Sequence, residues 1–122
     1  MTLKECYAAL GGDYDEAIGR LRSERLVQKF VLKFLDDGSY DLLCRSLEGG
    51  NQEEAFRAAH TIKGVCSNLA FTKLLDSSSR LTELLREGGG DPEEVGKLFE
   101  QVQEDYRRAA QAIQSFREEA EA

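Results

Sequence analysis

The chain contains a single histidine, His60, within Phe56-Arg57-Ala58-Ala59-His60-Thr61-Ile62-Lys63-Gly64-Val65-Cys66-Ser67-Asn68-Leu69. An imidazole with an ordinary pKa of about 6.5 is largely neutral near pH 7 and carries a nucleophilic lone pair. Attack on a phosphoryl group is chemistry it suits. The product adds roughly −1.5 to −2 charges. Lys63 at i+3 and Arg57 at i−3 are placed to offset that charge. Gly64, at i+4, is the unusual neighbour, because a glycine inside a helix costs about 0.8–1.0 kcal/mol relative to alanine. Its missing side chain clears space one turn from the imidazole, on the same face.

Those roles require a helix that runs through the segment and turns His60 outward. At ~100° per residue, Ala55, Ala58, Ala59, Ile62, Val65, Cys66 and Leu69 gather into one buried stripe. His60 points well away from its centre, beside Glu53, Arg57, Gly64 and Ser67, with Phe56 and Lys63 at the border. The apolar rhythm continues past Gly64, so the helix is expected to continue too. The group that orients the second ring nitrogen has to come from a neighbouring helix, and the local sequence does not name it.

Plainer roles compete at several positions. Arg57 either screens a phosphoryl group or pairs with Glu53 or Glu54, a contact contributing at most ~0.5 kcal/mol. Phe56 reads as a core-edge residue ahead of a docking one, and Phe71 as packing at the helix end. Cys66 lies on the buried stripe as a small apolar filler. The three cysteines, Cys6, Cys44 and Cys66, are odd in number and lack C-x-x-C spacing. That argues against a disulfide framework and a zinc site. With one histidine, no metal ligand set and no cofactor site is expected.

Glycine breaks at Gly11-Gly12, Gly38, Gly49-Gly50 and Gly88-Gly89-Gly90 divide the chain into helical segments, and β-branched residues do not alternate. Short N-terminal helices are expected over residues 3–10 and 13–21, the second capped by Asp13 with Glu16 as capping-box partner. Bundle helices are expected over approximately 23–37, 51–69, 72–87 and 92–118. The first carries Leu26, Phe30 and Phe34, read as core. A shorter piece from Ser39 holds Leu42, Leu43 and Leu47. Asn51 with Glu54 caps the histidine helix, and Asp91-Pro92-Glu93-Glu94 opens the last one. Long amphipathic helices joined by short connections indicate an all-α fold, an antiparallel four-helix bundle with extra short N-terminal helices, in one domain spanning residues 1–122.

Composition narrows the function classes. The 122 residues are 41% hydrophobic and 32% charged, with formal net charge −7. So acidic a chain is a poor partner for nucleic acid or an anionic membrane. No apolar run approaches the ~18 residues of a membrane span, and the N-terminus lacks a signal-peptide core. A cytoplasmic monomer is expected. Met1 and an ordinary C-terminus suggest a freestanding protein rather than a piece of a hybrid kinase.

His60-Thr61-Ile62-Lys63-Gly64 resembles the H-T-L-K-G signature of histidine-containing phosphotransfer domains, with Ile in place of Leu. The similarity extends over Glu53-Glu54-Ala55-Phe56-Arg57-Ala58-Ala59, Asn68-Leu69, Tyr14-Asp15-Glu16-Ala17 and the segment from Ser23 to Asp37. Where many members continue Asn-Leu-Gly this chain has Ala70, which puts the helix end in doubt.

The resemblance implies a phosphorelay intermediate. Phosphoryl groups would pass from a receiver aspartate, fed by a hybrid sensor histidine kinase, to His60 and on to a response-regulator receiver, through transient contacts. It makes His60 the phosphoacceptor, Lys63 the electrostatic partner and Gly64 the access residue, with Arg57 as a further screening candidate. Magnesium would belong to the receiver. No Gly-x-x-x-x-Gly-Lys-Ser/Thr loop or kinase motif is present, so no ATP-dependent kinase activity is expected. Two other classes compete: a phosphate-independent helical adaptor using the same surface, and a small hydrolytic or metal-dependent enzyme. Gly64 speaks against the first, and the second has no residue constellation behind it.

Overall fold

The computed structural model describes residues 1–121, with Glu87 described by its backbone. Among the described residues seven α-helices follow one another: α1 (Leu3–Leu10), α2 (Tyr14–Leu21), α3 (Glu24–Lys33), α4 (Ser39–Glu48), α5 (Gln52–Leu69), α6 (Thr72–Leu85) and α7 (Pro92–Glu121). Single 3-10 turns follow α3 at Phe34–Asp36 and α6 at Arg86–Gly88. No strand occurs among the described residues, and no helix among them is long and apolar enough to cross a membrane. The fold is an all-α helical bundle.

Short polar side chains set most helix starts. Thr2 Oγ1 accepts from Glu5 N at 3.0 Å while Glu5 Oε1 accepts from Thr2 N at 2.7 Å, a complete capping box. Asp13 accepts from Glu16 N, Ser23 from Leu26 N and Asn51 from Glu54 N. Each satisfies an amide with no partner inside its helix.

Helix α5 lies between α4 and α6, α6 packs along α7, and α1 lies on α7. Helices α5 and α6 run antiparallel: Gln52, at the start of α5, donates to the Gly89 carbonyl just beyond the end of α6. The short α1 belongs to the core, since Leu3, Cys6, Tyr7 and Leu10 are all buried. An aromatic chain crosses the interior. Tyr7 meets Phe71 at 5.6 Å, Phe71 meets Phe34 at 5.2 Å and Phe34 meets Tyr106 at 5.6 Å. Tyr106 stacks on Tyr40 of α4 at 3.8 Å.

The helix expected over 23–37 runs without a gap over residues 24–36, its last turn tightened to 3-10. Asp37 is extended at φ −74°, ψ 124°. Asp37 Oδ1 then accepts from Ser39 N at 2.8 Å, where α4 begins. The segment laid along α5 is therefore mainly α4, with α3 touching α5 and α7 more lightly. The core assignment of Leu26 and Phe30 is corrected. They are 41% and 36% exposed, whereas Val27, Val31 and Phe34 are buried. The apolar stripe on α3 is wider than its neighbours cover, so one edge stays in solvent.

Helix α5 ends at Leu69 in a left-handed cap made by Ala70, at φ 57°. Phe71 N donates to Cys66 O at 2.9 Å and Ala70 N to Ser67 O at 3.4 Å, the pairing usually built with glycine. The left-handed region costs a non-glycine residue roughly 1–2 kcal/mol. The N-terminal elements hold it in place. Asp13 N donates to Ala70 O at 2.9 Å, and the buried Tyr7 hydroxyl donates to Leu69 O at 2.8 Å.

Candidate functional site

His60 sits in the middle of α5 and is exposed, on the face opposite Ala55, Ala58, Ala59, Ile62, Cys66 and Leu69, all of which are buried. Neither of its ring nitrogens has a hydrogen-bond partner among the described residues. Thr61, its neighbour in sequence, returns its hydroxyl to Arg57 O at 3.0 Å and so leaves the imidazole alone.

Gly64 is helical and exposed one turn further on, and a Cβ built there would meet no atom within 4 Å. Nothing within the fold requires a glycine at this position. The open space lies outside the molecule, beside the imidazole.

Lys63 is half-buried and makes no ion pair among the described residues. Arg57 is engaged on its own helix, with Nη2 2.9 Å from Glu53 Oε1 and Nη1 3.3 Å from Glu54 Oε1. Lys63 is thus the uncommitted cation on the histidine face, and Arg57 the partnered one.

Three residues complete the surroundings. The Phe56 ring lies 5.9 Å from that of His60, inclined by 28°. The Arg86 guanidinium stands over Phe56, 5.2 Å from the ring centre. Arg86 also grips Glu83 with Nε to Oε2 at 3.1 Å and Nη2 to Oε1 at 3.2 Å. The Arg86 hydrogen bond and charge hold the Glu83 carboxyl below its ordinary value, with smaller contributions from Lys63 and His60. A carboxylate from α6 therefore lies within electrostatic reach of the histidine. Local sequence identified neither Glu83 nor Arg86. Their i, i+3 spacing was visible, but the register of α6 against α5 is a tertiary fact.

On the other flank, Phe30, Lys33, Phe34 and Asp37 border a groove of about 210 Å³ with Val65, Asn68 and Leu69 of α5. The exposed edge of α3, carrying Leu26 and Phe30, thus adjoins the helix that bears His60.

Other nucleophiles are withdrawn. Cys6 and Cys66 are fully buried; burial pushes the Cys6 thiol up to about 11 and raises that of Cys66. No cluster of three or more His, Cys, Asp or Glu side chains suited to a metal ion occurs among the described residues.

The Hpt domain family model matches residues 25–115, three-quarters of the chain, including the whole of α5 and α6. The chain belongs to the Hpt domain family. Searches of curated proteins and of solved structures gave no match. Hpt domains are carriers of phosphoryl groups on histidine in two-component phosphorelays, where they meet receiver domains and kinases transiently; they are not themselves kinases. The matched region begins inside α3, so α1 and α2 lie outside it. In this Hpt domain Tyr7 of α1 and Asp13, which caps α2, pin the end of the histidine helix.

Proposed function

We propose that this Hpt domain relays phosphoryl groups through His60, taking them from the phospho-aspartate of one receiver domain and giving them to the aspartate of another. The observation that carries this reading is the pairing of a solvent-facing, unbonded imidazole with the vacant face of Gly64. In the forward step a ring-nitrogen lone pair attacks phosphorus, the acyl P–O bond breaks, and the aspartate carboxylate leaves with the electron pair. The reverse sequence delivers the group to the next receiver.

Lys63 is the residue that offsets the arriving charge. It is half-buried, where a charge acts through less water than at a fully exposed position. Arg57 contributes less, since Glu53 and Glu54 already neutralise it. The magnesium ion that assists such transfers is supplied by the receiver. The partner covers the His60 face and the Leu26–Phe30 edge of α3 through a small transient contact.

The test is incubation of wild type and His60→Gln with a phosphorylated receiver domain and magnesium, read by intact mass and acid lability. One acid-labile phosphoryl group gained by wild type and none by the variant is the expected result. Equal uptake by both forms would move the site elsewhere. Failure of wild type with every receiver of its source would leave a phosphate-independent adaptor.

A further inference from the structure

Glu83 is an anion built into the neighbourhood of a residue that is to carry another anion, and the relay mechanism gives it no task. Its carboxylate is bound by both prongs of Arg86, at 3.1 and 3.2 Å. The Arg86 guanidinium in turn lies on the Phe56 ring, which is the neighbour of the imidazole. A planar guanidinium fork fits a phosphoryl group as well as it fits a carboxylate. In the unmodified protein, then, a phosphate-binding cation sits one aromatic ring from His60 with its binding site already filled.

We propose, building on the relay reading, that Glu83 is an internal competitor of the phosphoryl group: phosphorylation of His60 draws Arg86 away from Glu83, and Glu83 sets how much phosphoryl His60 holds against a receiver aspartate. The relative charges favour the exchange. Glu83 presents one negative charge, and a phosphorylated side chain roughly one and a half to two. Both members of the Glu83–Arg86 pair are substantially exposed, 60% and 45%, and exposed pairs are weak enough to be broken by a stronger anion nearby. Lys63, whose charge also reaches Glu83, has no ion pair to give up among the described residues and adds to the pull of the site on the phosphoryl group. Arg57 takes no part, because Glu53 and Glu54 already hold it. Carrying Glu83 lowers the affinity of His60 for phosphoryl, and that is what a carrier needs in order to hand its group on.

The experiment is the equilibrium partition of labelled phosphoryl between this protein and one receiver domain, for wild type, Glu83→Gln, Arg86→Gln and the double variant. Glu83→Gln should shift the partition toward His60 by about three-fold, within the range of an exposed charge interaction. Arg86→Gln should shift it toward the receiver, and removing Glu83 in that background should gain much less. The shifts should shrink at about 1 M salt, where the Debye length is roughly 3 Å; a merely structural role would not respond this way. Urea midpoints within error of wild type would confirm that the variants report on charge. A partition unchanged or moved toward the receiver in Glu83→Gln would overturn the inference while leaving the relay intact. No uptake by wild type would overturn the relay reading and this inference together.

Discussion

Gly64 stands one turn beyond His60 on the same exposed face of α5, and a methyl group in its place would touch no atom of the protein. Its effects on folding and on function therefore point in opposite directions. Gly64→Ala should raise stability by about 1 kcal/mol through helix propensity, measured by urea unfolding. The same variant should slow phosphoryl transfer from a receiver by roughly ten- to a hundred-fold, because a small misplacement of reacting atoms is costly. Gly64→Ala with unimpaired transfer would refute the access role.

The exposed edge of α3 makes a second prediction. Leu26→Ala and Phe30→Ala remove side chains that are 41% and 36% in solvent, so stability should change by less than about 1 kcal/mol. Receiver binding should weaken about five-fold or more for each, since anchoring apolar side chains at interfaces commonly contribute 1 kcal/mol or more. Titration calorimetry with an unphosphorylated receiver would measure this. Unaltered affinity in both variants would take α3 out of the footprint.

Tyr7→Phe tests the clamp on the end of α5. It strips the hydroxyl that donates to the Leu69 carbonyl at 2.8 Å in a buried setting. The expected cost is about 1–2 kcal/mol. Hydrogen exchange of the Ala70 and Phe71 amides, both tied to the last turn of α5, should speed up more than that of amides in α7. A uniform change would mean that the clamp is not local.

Alkaline pH should unfold the protein through its buried thiols. Cys6 is pushed from an ordinary 9.0 to about 11 by burial. A group whose folded pKa is raised gives stability that is complete below the unfolded value and is lost as pH rises toward the folded one. The Cys6 contribution is therefore intact below pH 9 and disappears between 9 and about 11, at up to 1.4 kcal/mol per pH unit. Burial also raises Cys66 and Tyr7, so both act in the same direction. Urea unfolding at pH 8 and 10.5 should show the loss, and Cys6→Ala should be less stable at pH 8 but fall less steeply. Parallel slopes for the two proteins would exclude Cys6 as a source.

The histidine face was legible because a helix imposes its own geometry on consecutive residues. Once Ala55, Ala58, Ala59, Ile62, Cys66 and Leu69 are assigned to the core, the 3.6-residue period obliges His60 and Gly64 to share the opposite face. Helix starts were legible for a related reason. A cap is a contact between residues two or three apart, and Asp13 and Asn51 each make theirs without help from the rest of the chain.

Contacts between helices were not legible in the same way. The apolar stripe of α3 shows which residues can be buried, but how far it is covered depends on where α5 and α7 come to rest; that left Phe34 inside and Leu26 and Phe30 outside. Ala70 alone argued against a left-handed helix end, and only Tyr7 and Asp13, from distant sequence, hold it there. The Glu83–Arg86 pair beside Phe56 depends on the register of α6 against α5, a sum of many small packing energies that no local pattern records. The sequence by itself determined the all-α class, the helix starts and the residue offered to chemistry. Tertiary packing alone decided which charges surround that residue, because they come from a different helix.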